Sequence, residues 1–411
     1  MDFDTQLDRY AELLVCYGLN VQPGQIVNLT GEVIHRDLLQ KLTKKAYQHG
    51  AKYVNVDFID PSHIKERILN SKDDSFLNYV PPFIPTKFDG LLDSRGAVLR
   101  LVGSEDPDFL SDLPTDKLHT LQLSIRQSLK RYYQEGVGKS KIQWLVAGAA
   151  TPKWGKKIFP EMSETDAYKA LWKAIFEICR VDKPDFLARW KEHDRNLKTR
   201  ATNLTNLKIK RLHFKGPGTD LSVYLSPKAV FVGGSSIGPH GQPFEPNIPT
   251  EECFTTPDCR LTEGKARVTR PFLINGTMIK GLELEFKAGR IIKFKAKEGE
   301  KTFAEYIKSD ESSNRLGEVA LVGIDSPIYQ SGRIFGEILY DENAACHIAI
   351  GFAYRFCLEK GDTLEAAELE DLGCNDSHVH TDMMISSEEV DVDAETYAGK
   401  IVPIIKKGKW I

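Results

Sequence analysis

Helix-like and strand-like segments alternate through the first half of this 411-residue sequence, and this alternation constrains the fold more than any other feature. Leu7, Ala11 and Leu14 follow helical spacing, and the apolar residues 26–29 have the length and composition of a strand. The same two patterns recur in strand-like segments 53–58, 97–102 and 142–147 and in helical segments 38–49, 118–135 and 165–179. Strands separated by helices pair in parallel, so this half predicts an α/β domain with a helix-flanked, mainly parallel sheet.

The pattern changes near residue 195. Residues 183–210 are rich in Lys, Arg, Asn and Thr, and we predict a helix that ends near Asn196, with a linker at that point. Beyond it the segments are short and alternate with period two, with one helix at residues 301–308. The predicted strands are residues 208–214, 221–225 and 229–232 and a hairpin across the turn 287–290. We therefore predict two domains, an α/β domain over residues 1–195 and a β-rich α+β domain over residues 196–411.

The charge balance and the cysteines of the chain limit which cell compartment and which partners we expect. The chain has 55 Lys and Arg against 58 Asp and Glu, a net charge of −3, which gives no bulk attraction to nucleic acid or to an anionic membrane. No apolar run approaches the ~18 residues of a membrane helix, and the acidic N-terminus lacks the features of a signal peptide. The seven cysteines contain no C-x-x-C pair. We expect a cytoplasmic protein with free thiols and with neither nucleic acid nor membrane as a partner.

Several common catalytic motifs are absent from the sequence. The segment 136–140 ends like a phosphate-binding loop, but Tyr133 stands where that loop needs its first glycine. There is no G-x-G-x-x-G, no G-x-S-x-G and no H-E-x-x-H. Nucleotide-dependent enzymes, serine hydrolases and helix-borne zinc proteases therefore lose their sequence support.

Groups able to bind a metal concentrate in the second half. His378, His380 and Asp382 have period-two spacing, so in a strand all three would share one face and could form the wall of a metal site. The polar flanks leave a solvated loop as the alternative. Other candidates are ambiguous on their own. Paired glutamates such as Glu251 and Glu252 are usually surface charge, His347 in an apolar run could be a hydrogen-bonded core residue, and Glu318 lies at a predicted strand start.

Taken together, these segments resemble the M29 family of metallopeptidases, the aminopeptidase T and aminopeptidase S group. The resemblance covers essentially the whole chain. It is carried by N-I-P-T-E-E at 247–252, G-T-D-L at 218–221, D-E-N-A-A-C-H at 341–347 followed by Tyr354, N-x-S-x-x-H-x-D at 375–382, T-P-K-W at 151–154 and F-P at 159–160. It implies five metal ligands, which are Glu252, Glu318, His347, His380 and Asp382. It also implies Tyr354 as a catalytic residue and places His378 behind the ligands. Cys253 departs from the aliphatic residue of relatives. We expect it to fill the other face of the strand, with a site that is more sensitive to oxidation as the alternative.

Three carboxylates and two imidazoles exceed the four groups that a tetrahedral zinc takes. They suit two divalent ions, of Zn, Co, Mn or Mg, bridged by a carboxylate and by water. Glu251 or Glu342 could carry the proton, and Tyr354 could donate its hydroxyl to the tetrahedral oxyanion. The resemblance further implies an aminopeptidase that forms a homodimer and cleaves peptides with a free N-terminus.

Two other functions stay open at this stage. A dinuclear metal phosphoesterase would use similar ligands but would also need a cation to hold phosphate, for which Arg355 and Lys280 are the candidates. A binding protein could keep the fold without the metals, but we would then expect some of the ligand residues to be lost, and all five are present.

Overall fold

The computed structural model describes residues 2–411, which form two compact units. The first comprises residues 2–190 and Ser235–Pro249, and the second comprises Lys191–Gly234 and Thr250–Ile411. Compactness does not establish where an independently folding domain ends, so the division at residue 195 stays a prediction. In the described part of the chain, no helix combines the length and apolarity that crossing a membrane requires.

Twelve α-helices are found in the described residues. They are α1 (Phe3–Glu12), α2 (Arg36–Gln48), α3 (Pro61–Asn70), α4 (Phe83–Asp93), α5 (Thr115–Ser128), α6 (Pro152–Ile158), α7 (Glu164–Ile178), α8 (Phe186–Asn206), α9 (Glu300–Tyr306), α10 (Pro327–Gln330), α11 (Ile338–Asp341) and α12 (Ala366–Asp371). Turns of π-helix follow α1 and α5, at Leu13–Gly18 and Tyr132–Val137.

The strands are named in chain order. Those before residue 250 are β1 (Ile26–Glu32), β2 (Tyr53–Ile59), β3 (Ala97–Val102), β4 (Gln143–Gly148), β5 (Ile209–Gly216), β6 (Thr219–Tyr224), β7 (Ser236–Ile237), β8 (Pro243–Phe244) and β9 (Asn247–Ile248). Those after it are β10 (Cys253–Thr255), β11 (Glu263–Arg267), β12 (Phe272–Ile274), β13 (Thr277–Ile279), β14 (Glu283–Lys287), β15 (Arg290–Lys295), β16 (Leu316–Leu321), β17 (His347–Gly351), β18 (His380–Met384), β19 (Asp391–Thr396), β20 (Ile401–Lys406) and β21 (Lys409–Trp410).

The first unit contains the predicted parallel sheet. Its five strands lie in the order β2-β1-β3-β4-β9, and every neighbouring pair is parallel. Val27 and Leu29 of β1 are fully buried, as expected for a strand in the interior of a sheet covered by helices. The α/β class predicted for this half is confirmed.

The second unit is built from antiparallel strands. An eight-stranded sheet has the order β15-β14-β11-β6-β5-β19-β20-β21, and a four-stranded sheet has the order β10-β16-β17-β18. Side chains of both sheets join one buried apolar cluster, for instance Phe214 and Val223 of the larger sheet with Val319 and Ile348 of the smaller one. One face of the four-stranded sheet is thus committed to the core, which leaves its other face for polar side chains.

The predicted hairpin is also confirmed. It joins β14 and β15 through Ala288 and Gly289, which both have positive φ, 48° and 75°. Such a pair of positive φ values matches the right-handed twist of the flanking strands. A Cβ on Gly289 would lie 1.9 Å from the Cys259 carbonyl oxygen, so this position also requires glycine for space.

Two sequence predictions in this region are wrong. The helix predicted to end near Asn196 continues to Asn206, because Leu197, Ala201 and Leu204 form a buried stripe at helical spacing. The Asn- and Thr-rich composition that suggested a linker therefore belongs to the polar face of α8. Residues 229–232 do not form a regular strand. Ala229 and Val232 make only isolated bridges, to Leu358 and Phe254.

Candidate metal centre

The four-stranded sheet brings the five predicted ligand residues onto one face. Glu318 of β16 pairs with Ala349 of β17, and Ala349 pairs with Asp382 of β18, so that these three side chains form a row across the sheet. His347 lies two residues before Ala349 and His380 lies two residues before Asp382, which places both imidazoles on the same face. The methyl group of Ala349 leaves room between the two carboxylates.

A β-bulge aims Glu318 at this face. Leu316 pairs with Ile350 while Glu318 pairs with Ala349, so β16 has one extra residue, Gly317, at this point. Without the bulge, Leu316 and Glu318 would share a face, whereas here Leu316 is buried in the core and Glu318 faces the site. A Cβ on Gly317 would lie 2.2 Å from the Phe352 carbonyl oxygen and 2.3 Å from that of Gly351. Only glycine fits.

Glu318 is shared by two groups of possible ligands. Its Oε1 lies 3.6 Å from His347 Nε2, and its Oε2 lies 3.7 Å from His380 Nε2. The ligand atoms of Glu252, Glu318 and His347 all lie within 4.8 Å of one another, and so do those of Glu318, His380 and Asp382. Each oxygen of this one carboxylate therefore faces a different imidazole, an arrangement suited to a carboxylate that bridges two cations.

The imidazoles are oriented for metal binding by backbone carbonyls. His380 Nδ1 lies 2.8 Å from the Phe352 carbonyl oxygen, and His347 Nδ1 lies 3.3 Å from that of Ala345. A carbonyl only accepts, so each Nδ1 carries the proton and each Nε2 offers its lone pair to the centre of the site.

Two buried atoms at the centre have no hydrogen-bond partner among the described residues, His347 Nε2 and Glu252 Oε2. They lie 3.2 Å apart without forming a hydrogen bond. Buried polar atoms are nearly always satisfied, and a divalent cation would satisfy both of these at once. The donor set of carboxylates and imidazoles is also the set that such cations take. The residues present therefore fit the metal.

Crowding of the carboxylates is evident in their pKa values. Burial, together with the charges of Glu252 and Asp382, raises the pKa of Glu318 to about 6. Burial opposes the charged form of His380, but Asp382 and Glu318 outweigh it and raise its pKa to about 9. Positive charge would thus stabilise the crowded carboxylates of the site, and bound cations would supply it in place of protons.

The two candidate proton carriers have different surroundings. Burial and then the charges of Asp382 and Glu252 raise the pKa of Glu342 well above its ordinary value. Glu251 Oε2 instead lies 3.5 Å from His193 Nε2, and the Glu251 backbone N–H donates to Asn343 Oδ1. Glu251 therefore points in a different direction from its neighbour Glu252, as consecutive side chains of an extended segment do.

Tyr354 lies beside the cluster, with its ring centroid 5.4 Å from that of His380. Burial of the hydroxyl, followed by the charges of Glu318 and Asp382, raises its pKa well above the ordinary value. The phenol therefore stays protonated and able to donate. No hydrogen-bond partner holds this hydroxyl among residues 2–411.

Of two sequence expectations about single residues, the one for His378 does not match the structure and the one for Cys253 does. His378 precedes β18 instead of belonging to it; its side chain is exposed, and its backbone N–H donates to Asp310 Oδ2. The metal-wall spacing therefore holds for His380 and Asp382 alone. Cys253 lies on the opposite face of β10, fully buried, and burial raises the pKa of its thiol to about 12. Cys253 thus fills the other face of the strand, as expected, and its buried, protonated thiol does not support the alternative of a site sensitive to oxidation.

Sequence reasoning missed Asn343, a fully buried residue that connects two parts of the site. Its Oδ1 accepts the Glu251 N–H at 2.7 Å, and its Nδ2 donates to the Leu339 carbonyl at 3.0 Å and to Glu342 Oε1 at 3.4 Å. The segment before β10 is thereby tied to the segment before β17. No local pattern could indicate this, because the hydrogen-bonded partners Glu251 and Asn343 are 92 positions apart in the sequence.

Known proteins resemble this chain over its whole length. Residues 3–410 match the family model described as thermophilic metalloprotease (M29). The chain is 36% identical to aminopeptidase 2 of Geobacillus stearothermophilus, over 99% of this chain and 98% of that one, and 37% identical to aminopeptidase AmpS of Bacillus subtilis (strain 168), over 99% of each. The solved structure of wild-type AmpT from Thermus thermophilus superposes with a TM-score of 0.93 at 35% identity and covers 100% of both chains. With a metal-binding constellation on its β-rich unit and a family match from end to end, the chain belongs to the M29 family of metalloproteases.

Proposed function

We propose that this protein is a metal-dependent aminopeptidase that hydrolyses the first peptide bond of peptides with a free N-terminus. The observation that carries the proposal is the position of Glu318, whose two carboxylate oxygens each face a different imidazole within two overlapping ligand groups. Relatives that match over nearly their full length bear the name aminopeptidase, which supports the same activity here.

In this proposal Glu252, Glu318, His347, His380 and Asp382 would hold two divalent ions of Zn, Co, Mn or Mg, and Glu318 belongs to both groups of possible ligands. When bound, such ions polarise the carbonyl that is attacked and lower the pKa of water. The remaining roles fall to side chains of the chain itself, which must carry a proton, stabilise the developing oxyanion and hold the substrate amine.

Glu342 is the proton carrier in our proposal. Its strongest charge interactions are with Asp382 and Glu252, whereas the contacts of Glu251 are with His193 and Asn343. A carboxylate next to the ligands can take a proton from the attacking water and return it to the leaving amine. The hydrogen bond from Asn343 Nδ2 to Glu342 Oε1, at 3.4 Å, helps to orient this carboxylate.

Tyr354 donates its hydroxyl to the oxyanion. Its phenol is a neutral donor, it lies beside His380, and no described residue occupies its hydroxyl. A neutral donor aimed at the position where negative charge develops stabilises the transition state more than the ground state.

A phosphoesterase gains no support from Lys280, one of the two cations that the sequence suggested. Lys280 Nζ pairs with Glu298 Oε2 at 3.0 Å, and both side chains are largely exposed. Phosphate recognition would need a free cation or bidentate arginine at the ligand cluster.

The homodimer and the cytoplasmic location implied at the sequence level stay predictions.

The test compares one peptide with its N-acetylated twin, after loading the protein with Zn, Co, Mn or Mg in separate preparations. Acetylation removes the charge and the lone pair of the amine but leaves the first peptide bond intact. We expect the free peptide to lose its first residue and the acetylated twin to resist, with metal analysis giving two ions per chain. Equal cleavage of both peptides would indicate an endopeptidase, and full activity in excess chelator would contradict a metal-dependent enzyme.

A further inference from the structure

Glu342 lies between two buried polar residues, Asp341 and Asn343, that attach it to other segments of the same unit. The attachment through Asn343 leads to the backbone N–H of Glu251. The attachment through Asp341 leads to Arg270, in the segment between β11 and β12, with 3.7 Å from Arg270 Nη2 to Asp341 Oδ1. Both side chains of this ion pair are mostly buried, with 11% of Arg270 and 4% of Asp341 exposed. The proposed proton carrier is thus attached on both sides along the chain.

Asp341 fixes the short helix that precedes Glu342. It is the last residue of α11, and its carboxylate accepts the backbone N–H of Phe335 at 2.9 Å and of Gly336 at 2.7 Å. Because these two residues come before α11, the carboxylate ties the entry of the helix to its end. The backbone position of Glu342, the next residue along the chain, therefore depends on the groups that bind the Asp341 carboxylate.

Arg270 joins this carboxylate to β18, the strand of two proposed metal ligands. The preceding residue, Thr269, is tied to the end of β18, because its N–H donates to the Met384 carbonyl at 2.8 Å and its hydroxyl donates to the same carbonyl at 3.1 Å. From this anchored backbone the Arg270 guanidinium reaches Asp341, and its Nη2 also donates to the backbone carbonyl of Arg333, before α11. A continuous chain of polar contacts thus runs from β18 to the residue next to Glu342.

Stability alone does not explain this buried ion pair. Burial raises the pKa of Asp341 to about 6, although the Phe335 N–H and Arg270 oppose the shift, and burial lowers the pKa of Arg270, although Asp341 opposes it. In both residues the loss of hydration outweighs the charge of the partner. Arg270 Nε is also buried without a hydrogen-bond partner among residues 2–411. Apolar side chains often replace such a pair without loss of stability, so its role is better sought in its geometry.

We infer that Arg270 and Asp341 are positioning residues, which hold the Glu342 carboxylate at the ligand cluster by joining its turn to β18. This inference rests on the proposed function, in which Glu342 takes a proton from the attacking water and returns it to the leaving amine. Neither Arg270 nor Asp341 belongs to the two groups of possible ligands, so metal binding should not depend on them. Proton transfer should, because a displacement of ~1 Å at a reacting group can cost about 100-fold in rate.

The first test measures kcat, KM and metal content for Asp341→Asn and Arg270→Lys. Asparagine keeps the shape of the aspartate without its charge, and lysine keeps the charge of the arginine without its planar set of donors. We expect kcat for a peptide to fall by about 10- to 100-fold, with KM changed by less than about twofold and the metal content of the wild type. A normal kcat in both variants would overturn the inference.

A second measurement separates a displaced proton carrier from general damage to the site. It compares the tripeptide leucyl-glycyl-glycine, whose leaving amine must gain a proton, with leucine p-nitroanilide, whose leaving group is only weakly basic. Loss of proton transfer should cost at least about 10-fold more in kcat for the peptide than for the anilide. Asp341→Asn and Arg270→Lys should share this difference with Glu342→Gln, whereas equal losses for the two substrates would mean a merely structural role and would contradict the inference.

The double variant Arg270→Met with Asp341→Asn tests whether stability accounts for the effect. Arg270→Met alone leaves Asp341 buried without its cation, which destabilises the fold, whereas the double variant has no unpaired buried charge. Its Tm should therefore exceed that of Arg270→Met. Its kcat for the peptide should stay low, since the connection to β18 is still missing. Recovery of kcat together with Tm would assign the pair to stability and overturn the inference.

Asp258→Asn and Arg260→Lys are the matched controls. The Asp258 side chain is also 4% exposed, it pairs with Arg260 Nη2 at 2.7 Å, and the same guanidinium donates to the backbone carbonyl of Asp371. These partners lie outside the turn that carries Glu342. Both control variants should therefore keep the wild-type ratio of kcat between the tripeptide and the anilide.

The outcomes separate this inference from the function on which it rests. A metal-loaded wild type that cleaves neither substrate would overturn the aminopeptidase function. An active wild type whose Glu342→Gln variant keeps a normal kcat would remove Glu342 as proton carrier, and the inference with it. If Glu342→Gln shows the greater loss for the peptide but the variants of Asp341 and Arg270 do not, only the inference is overturned.

Discussion

At the scale of single residues, Glu318 is the carboxylate at the centre of the ligand cluster. It is nearly fully buried, and each of its oxygens lies within 4 Å of a different histidine nitrogen. A buried carboxylate with raised pKa is costly to maintain unless it neutralises nearby positive charge. The position of Glu318 among three other acidic groups is explained by cation binding rather than by a contribution to the stability of the fold.

We predict that Glu318→Ala loses the capacity to bind metal along with peptidase activity. If two ions bind as proposed, Glu318 would contribute to both, so metal content should fall from about two ions per chain to less than one. Metal analysis after dialysis, beside a peptide-hydrolysis assay, measures both effects. Glu298→Ala, at an exposed glutamate paired with Lys280, serves as control and should keep full metal content. Wild-type stoichiometry in Glu318→Ala would remove this residue from the ligand set.

Tyr354→Phe separates chemistry from metal binding. The variant keeps the ring that packs on Phe356 and His380 and removes only the hydroxyl. Loss of one oxyanion donor lowers kcat by ~10²–10³-fold, and KM should change little because the ground-state carbonyl does not need the donor. Steady-state kinetics and metal analysis on the same preparation make the comparison. A nearly normal kcat with full metal content would exclude Tyr354 from the mechanism.

At the scale of elements, the four-stranded antiparallel sheet makes the site possible. Its core face carries Val319, Ile348 and Met383, and its other face carries the acidic and histidine side chains. Alternation along three strands thus buries an apolar layer and builds a polar one with the same backbone. The bulge at Gly317 is the exception to strict alternation, and it serves to put both Leu316 and Glu318 on their proper faces.

We predict that Gly317→Ala disturbs the metal site through the backbone. The added methyl group would clash with the carbonyl oxygens of Phe352 and Gly351, both of which are main-chain atoms that cannot move away as a side chain would. Relief of the clash would shift β16 or the end of β17, so the metal affinity should fall by at least about 10-fold, since ligands must hold their positions within ~0.5 Å. Isothermal titration of the metal-free protein gives the affinity.

The control for this variant is Gly90→Ala. Gly90 lies in α4, where a Cβ meets no atom within 4 Å, so alanine should be tolerated and should not change metal affinity. An unchanged affinity in Gly317→Ala would mean that the bulge does not position Glu318.

At the scale of the whole molecule, metal binding should contribute to stability as well as to catalysis. Ligands that bind the native state alone stabilise it by ~4 kcal/mol when present at 1,000 times their Kd. A domain of this size changes its melting temperature by about 2–4 °C per kcal/mol. Excess chelator should therefore lower the Tm of the wild type by roughly 10 °C, as measured by scanning calorimetry. The Tm of Glu318→Ala should decrease little further in excess chelator. An unchanged wild-type Tm after confirmed removal of the metal would contradict the predicted contribution of metal binding to stability.

Much of the architecture could be read from local pattern. Four of the five strands of the parallel sheet, β1 to β4, are predicted from short strand-like segments between helical ones, and the β14–β15 hairpin from alternation across a glycine-containing turn. The fifth, β9, comes from the other half of the sequence and is not predicted. These features depend on neighbours a few residues apart, so the sequence contains them directly. The error at α8 has the opposite origin, because Asn- and Thr-rich composition is only a weak indicator and the buried stripe of Leu197, Ala201 and Leu204 overrides it.

The sequence by itself determined the two architectures of this protein and the chemical identity of its candidate ligands. The ligands were indicated by the period-two spacing of His380 and Asp382 and by the resemblance to a family. What only the tertiary structure decided is which groups meet. The exclusion of His378, the bulge at Gly317, the different environments of Glu251 and Glu342, and the connection through Asn343 all depend on the pairing of segments up to 92 residues apart. Local spacing sets the face on which a side chain lies, but strand register and sheet order set its partners across the sheet, and these arise only when the chain has folded.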